Sequence, residues 1–234
     1  MTHAETTNGA AATARRRPTP ASERAELAEH AEKWSTFVLA NVLWAILSIP
    51  LVTLPAATAG LFAFMSERAR GRQPDFFRTF MGGMRQHWRK ATLLALIDLG
   101  VGGLVVANAL ILPSMDLGAD PIAFLARSVT FFVALAALLI NLYAWTLLVL
   151  LDSLTLRQIL ASSASLAFAH PVWSMIVLIV TALPVIISLF LPQGIFVLAT
   201  VSASTLIACA GTWRAIRQHL SPELLAEFQP AAKS

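Results

Sequence analysis

Few side chains in this sequence are equipped for chemistry, and the foremost is Asp98, the one charge in the run Ala91–Leu112. A carboxylate inside an apolar helix serves as a proton relay, a cation site or the partner of a buried cation. It lies two turns past Lys90, about 12 Å along a helix, so Arg89, Lys90 or a water-filled vestibule would also satisfy it. A second candidate is the sequence Pro50-Leu51-Val52-Thr53-Leu54-Pro55. The two prolines remove the amides that would pair with the carbonyls of Ile46 and Leu51. At membrane depth those carbonyls need partners, which Thr53, Thr58 or neighbouring helices would supply. Broken helices of this kind build substrate or ion sites in transporters; the plainer reading is a tight hairpin without a ligand. Asn41, Asn108 and Asn141 are amides within apolar runs, where interhelical hydrogen bonding is their first role. Asp152 stands at the end of another such run, and capping a helix junction accounts for it.

Other reaction chemistry finds no footing. His87, His170 and His219 show no i, i+4 pair and no completing carboxylate, so no metal site is expected. Cys209 is the single cysteine, which leaves no disulfide framework and no thiolate metal cluster. Neither Gly-x-x-x-x-Gly-Lys-Ser/Thr, nor Gly-x-Ser-x-Gly, nor His-Glu-x-x-His occurs. No catalytic residue, no cofactor and no enzyme activity are therefore expected.

The elements that must position these residues follow from composition. Of 234 residues, 57% are apolar and 13% charged, about half the charged share of a soluble domain, and mean hydropathy is +0.70. Asp, Glu, Lys, Arg and His are absent from Trp34 to Ser66 and again from Pro171 to Trp213. Such a chain cannot build a polar skin, so the expected class is an all-α, polytopic membrane bundle. Six spans are expected, at about 34–51, 55–70, 91–112, 122–151 (or from Ser128), 171–191 and 195–213. The first two form a Pro-bent hairpin; the second is short, with charges from Glu67 onward, and either crosses thinly or is re-entrant. Residues 23–220 make a single transmembrane domain between a disordered cytoplasmic tail (1–22) and a cytoplasmic C-terminal tail (221–234), which holds a short helix near Pro222–Phe228.

Two further helices are expected at the cytoplasmic face. Over Pro74–Lys90 the stripe Phe76, Phe77, Phe80, Met81, Met84, His87 and Trp88 opposes Arg78, Arg85, Gln86 and Arg89. This helix lies in the interface or packs on the protein's own spans. The other, Asp152–Ala169, carries Leu156, Ile159, Leu160 and Leu166 on one face. Each unit ends in a histidine before a span, a weak internal repeat. Gly100, Gly102, Gly103 and Ala107, with Ala199 and Ala203, are read as points of close helix contact.

The net charge is +4, and position matters more than the sum. With six crossings and both termini inside, every basic cluster faces the cytoplasm, with Arg127 apart, while the turns at Pro113–Pro121 and Pro192-Gln193-Gly194 lack Lys and Arg. This is a topology signal and not a nucleic-acid footprint. Arg78, Arg85, Arg89 and Lys90 would meet anionic lipid headgroups.

The stretch Asn41-Val-Leu-Trp44, Ser48-Ile-Pro50, Thr53-Leu-Pro55-Ala-Ala-Thr58-Ala59 and Phe62, then Arg70-Gly71 and Phe77–Phe80, resembles the YesL family of bacterial integral membrane proteins, a domain of unknown function. The later unit ending in His170-Pro171 fits the same pattern, so the resemblance covers roughly residues 30–220; the long N-terminal tail lies outside it. The family is often encoded beside carbohydrate-uptake or polysaccharide-degradation genes. The resemblance thus implies a bacterial plasma-membrane protein, accessory to sugar import, with a carbohydrate transporter as partner. It carries over no catalytic residue. The alternative is a small transporter or channel, working as a homo-oligomer, with Asp98 and the Pro50–Pro55 bend lining its path. A lipid-sensing scaffold is a third reading.

Overall fold

The computed structural model describes residues 20–111, 121–190 and 197–218. The expected tail over residues 1–19, the outer loop with Asp116 and Asp120, the Pro192-Gln193-Gly194 turn, His219 and the C-terminal segment lie outside these residues. The chain divides into two compact units, residues 1–36 and 37–234. Helix α1 (Pro20–Ser48) begins in the first unit and ends in the second. It starts within the stretch expected as tail, with proline at a first-turn position where its missing amide costs nothing.

All further elements belong to the second unit: α2 (Leu54–Ala69), α3 (Phe76–Ile111), α4 (Pro121–Leu150), α5 (Leu156–Ala169), α6 (Pro171–Phe190) and α7 (Val197–Arg217). The described residues hold seven helices and no strand. Three stretches among them are long and apolar enough to cross a bilayer: Phe76–Leu110, Phe124–Leu150 and Pro171–Ser188. The apolar part of α1, Trp34–Ser48, is shorter.

Short as it is, α2 lies at the centre. It packs against α3, α4 and α7, and buries Ala57, Ala59, Gly60, Leu61, Phe64 and Met65. Leu61, Phe64 and Met65 join Ala40, Phe76, Phe80 and Cys209 in one core cluster. The other cluster surrounds α4, where Leu142–Leu148 is buried without a break against Leu94, Ile159, Val177 and Ala208. Glycine permits the closest crossings. A Cβ on Gly83 would meet the Ala63 Cβ at 2.4 Å, one on Gly60 the Phe80 carbonyl at 2.7 Å, and one on Gly211 the Val177 Cγ1 at 2.4 Å.

Four expectations are corrected here. Gly100, Gly102 and Gly103 do not mediate helix contact: a Cβ on any of them would meet nothing within 4 Å. They lie on the C-terminal half of α3, where Leu96, Leu99 and Leu104 are exposed. The helix expected at Pro74–Lys90 is not a separate element. It runs unbroken into the third span as one 36-residue helix, about 54 Å long, because no proline or glycine intervenes between Gly83 and Gly100. Its start is set by Asp75, whose Oδ1 accepts from the Arg78 amide at 2.9 Å, an N-cap. The expected stripe also divides. Phe76, Phe80, Gly83, His87, Ala91 and Leu94 are buried, whereas Phe77, Met81 and Trp88 are exposed. Finally, α5 begins at Leu156 and not at Asp152, since Thr155 and Gln158 form a capping box there.

Candidate functional site

The Pro50–Pro55 bend completes its own hydrogen bonds. The Ile46 carbonyl accepts from the Ile49 amide at 3.3 Å and that of Leu51 from Leu54 at 3.4 Å. Thr53 Oγ1 donates to the carbonyls of Leu47 and Pro50. Thr58 Oγ1 donates to the Leu54 carbonyl at 2.9 Å and accepts from Trp44 Nε1 at 3.1 Å, which ties α1 to α2. Ile49, Leu51 and Val52 are among the most exposed apolar residues, so the bend is an outward-facing turn at the end of the hairpin. Asn41 lies deeper: its Oδ1 accepts from the Ser202 amide at 3.0 Å, fastening α1 to α7. Asn108 donates to Thr130 Oγ1, linking α3 to α4.

At the opposite end, α3 grips the α4–α5 junction. Lys90 Nζ donates to the carbonyls of Asp152 and Leu154 at 2.7 and 2.9 Å. His87 Nε2 lies 3.3 Å from Asp152 Oδ1, and Gln86 donates to Oδ2 of the same carboxylate. Lys90 is thus engaged with the protein's own backbone, while Arg78, Arg85 and Arg89 remain exposed. The Arg89 guanidinium sits 5.2 Å from the Trp88 ring centroid. Helix α2 ends at Gly71 with φ +77°. The Arg72 amide there bonds the Glu67 carbonyl at 3.0 Å, a glycine-dependent cap, and Glu67 pairs with both Arg70 and Arg72.

Asp98 is satisfied by neither Arg89 nor Lys90. Its Oδ2 accepts from Trp145 Nε1 at 3.2 Å, and the Asn141 side chain stands beside the same carboxylate. Trp145 and Asn141 stand one turn apart on α4 and both line an open groove of about 220 Å³ between α4, α6 and α7. Phe62 of α2 closes one side, with its ring stacked on Trp145 at 5.8 Å between centroids. The remaining walls are Leu138, Leu142, Leu178 and Ala208, together with Thr181, Ser204 and Thr205. Three buried oxygens of this lining have no hydrogen-bond partner: Asn141 Oδ1, Thr181 Oγ1 and Ser204 Oγ. Thr205 Oγ1 donates to the Val201 carbonyl at 2.7 Å. Pro184 lies inside α6 and releases the carbonyl of Val180, the residue before Thr181.

These polar groups share one level. Asp98, Asn141, Thr181 and Ser204 stand eight to eleven residues from Lys90, Asp152, His170 and Arg214, about 12–17 Å along their helices. Those four residues mark one end of the bundle: Lys90 touches Asp152, and the Arg214 guanidinium stacks 5.0 Å from the Trp173 ring. Half of a hydrocarbon layer of about 30 Å is of the same size. Of this group the sequence singled out Asp98, and Asn141 only as helix glue. Thr181, Ser204 and Pro184 were missed. Serine and threonine are common in apolar helices, and only Pro184 gave a local signal, an interruption of an otherwise apolar span. Among the described residues no three His, Cys, Asp or Glu side chains are grouped so as to hold a metal ion.

An all-helical bundle with membrane-length apolar helices and an outward-facing apolar surface is the architecture of a membrane protein. Residues 37–109, which cover the end of α1, all of α2 and nearly all of α3, match the family described as "Protein of unknown function, DUF624". No curated protein matches the chain, and no solved structure does.

Proposed function

We propose that this is a non-enzymatic, multi-pass protein of the bacterial plasma membrane, with six crossings and cytoplasmic termini, that acts as an accessory or regulatory component of carbohydrate uptake. The carbohydrate link rests on the YesL-like resemblance. The docking role is supported by one structural observation, the uncovered face of the first half of α3. Phe77 and Trp88 are 58% and 50% exposed there, interleaved with exposed Arg78, Arg85 and Arg89. Exposed aromatics and arginines concentrate binding energy at protein interfaces, and the same arginines suit anionic headgroups. Affinity purification from native membranes should recover a carbohydrate transporter component with the wild-type chain and lose it with Phe77→Ser/Trp88→Ser. Deletion of the protein should lower sugar uptake. Recovery of no such component, together with unchanged uptake, overturns the proposal.

A second reading, a small transporter or channel acting as an oligomer, is favoured by the groove beside Asp98. It does not need the Pro50–Pro55 bend, whose carbonyls are paired within the turn. Under it, Asp98→Asn abolishes solute flux in proteoliposomes without loss of fold, and an unchanged flux removes it.

A further inference from the structure

We propose that the groove between α4, α6 and α7 is a binding site for a small monovalent cation of the alkali-metal kind, held by neutral oxygens, with Asp98 as a positioning residue. The proposal uses the same groove as the transport reading but does not require transport. Its first support is the polarity of the lining. Asn141 Oδ1, Thr181 Oγ1 and Ser204 Oγ are buried without partners, and the lining contains no Lys, Arg or His. The indole N–H of Trp145 is already given to Asp98. These oxygens carry lone pairs that can coordinate a cation, and no fixed positive charge of the lining opposes one.

The second support is how Asn141 is held. A carboxylate accepts hydrogen bonds and cannot donate them once ionised. Asp98 stands beside the Asn141 side chain, an ionised carboxylate there favours the amide nitrogen as its neighbour, and Oδ1 is the Asn141 atom left without a partner. An ionised Asp98 orients the amide so that Oδ1 faces the groove, and a cation bound there favours that ionised form. An uncompensated carboxylate within a bundle is costly, and a cation in the groove offsets it.

Pro184 frees the Val180 carbonyl on the same helix as Thr181, but Val180 is not among the residues that line the groove, so the side-chain oxygens carry the site. The donor set selects the ion class. Hard, neutral oxygens with a single carboxylate behind them suit a singly charged hard cation. A divalent ion draws several carboxylates, and a transition metal draws imidazole or thiolate; no carboxylate, imidazole or thiolate side chain lines this groove.

The test uses the purified full-length protein in detergent micelles, with thermal unfolding followed by tryptophan fluorescence. NaCl or KCl replaces choline chloride at constant ionic strength. One of the two alkali ions should raise the midpoint by several degrees and saturate, as binding to the folded state alone requires. Thr181→Val/Ser204→Ala should abolish the ion-dependent rise while keeping a cooperative transition in choline. Asp98→Asn should retain the rise but shift its half-saturating concentration upward about tenfold, the equivalent of one misplaced charged contact. Identical midpoints in sodium, potassium and choline overturn the proposal, as does a full rise in the double variant. If the double variant does not fold, each single variant is compared, and saturable binding of radioactive sodium or potassium to the wild-type protein decides; no saturable binding overturns the site. Ion stabilisation without solute flux in proteoliposomes supports the site and removes the transport reading. Flux indifferent to the alkali ion, with no stabilisation, does the reverse.

Discussion

Individual side chains divide by whether another helix answers them. Tyr143 Oη and Ser174 Oγ share a hydrogen bond of 2.8 Å, and Ser174 Oγ donates to the Ala167 carbonyl at 3.0 Å. Tyr143 and Ser174 are fully buried, and the chain of bonds joins α4, α6 and α5. Donation to Ala167 orders the shared bond, so the tyrosine hydroxyl donates to Ser174. Ser174→Ala should therefore cost about 1–3 kcal/mol, because it leaves the tyrosine hydroxyl and the Ala167 carbonyl buried without their partner. Tyr143→Phe removes one partner of a serine that keeps its bond to Ala167, and should cost less. Reversible unfolding in mixed micelles measures both, and equal costs would remove the distinction. Asp98 belongs to the same scale. Its polar character was plain from one residue type within an apolar run, but Trp145 as its partner was not, since the two are 47 positions apart.

At the scale of elements, glycines separate into those that a neighbouring helix requires and those that it ignores. Gly83→Ala places a methyl 2.4 Å from the Ala63 Cβ, so α2 and α3 must move apart, at about 1–3 kcal/mol for an overpacked contact. Gly102→Ala meets nothing within 4 Å and should leave the unfolding midpoint nearly unchanged or slightly raised, as alanine favours helix over glycine. Comparison of the two midpoints checks this, and a larger loss for Gly102→Ala would reverse the assignment. Sequence pattern misled here for a physical reason. Small residues permit close approach wherever they occur, but which ones are used depends on helix rotation, and rotation is set by the whole stripe from Phe76 to Leu94. The same rotation buries His87 and leaves Phe77 and Trp88 outside, although all three were placed on one stripe by spacing.

At the scale of the whole molecule, the proposed topology makes the α1–α2 turn and the basic half of α3 lie on opposite sides of the membrane. Val52 is 87% exposed on that turn, and Arg85 is exposed on α3. Cys209, the only native cysteine, is buried. With cytoplasmic termini, Val52→Cys should react with a membrane-impermeant thiol reagent in intact cells, and Arg85→Cys only after permeabilisation. The opposite pattern inverts the orientation, and labelling of both from outside removes the crossing by α2.

Composition and charge order alone determined the class of this protein. Charge-free runs as long as Trp34–Ser66 and Pro171–Trp213 have no place to go but an apolar medium, and helix is the structure that closes its own hydrogen bonds there. The same local logic located most helix boundaries to within a few residues, since prolines, glycines and caps act over one or two turns. What α2 does was decided only in three dimensions: a 16-residue helix that read as a marginal crossing is the element on which α3, α4 and α7 pack. The groove was likewise a tertiary outcome. Asn141, Thr181 and Ser204 are ordinary residues of three separate helices, and they line a common space because packing turns those faces toward one another, a relation that no local spacing records.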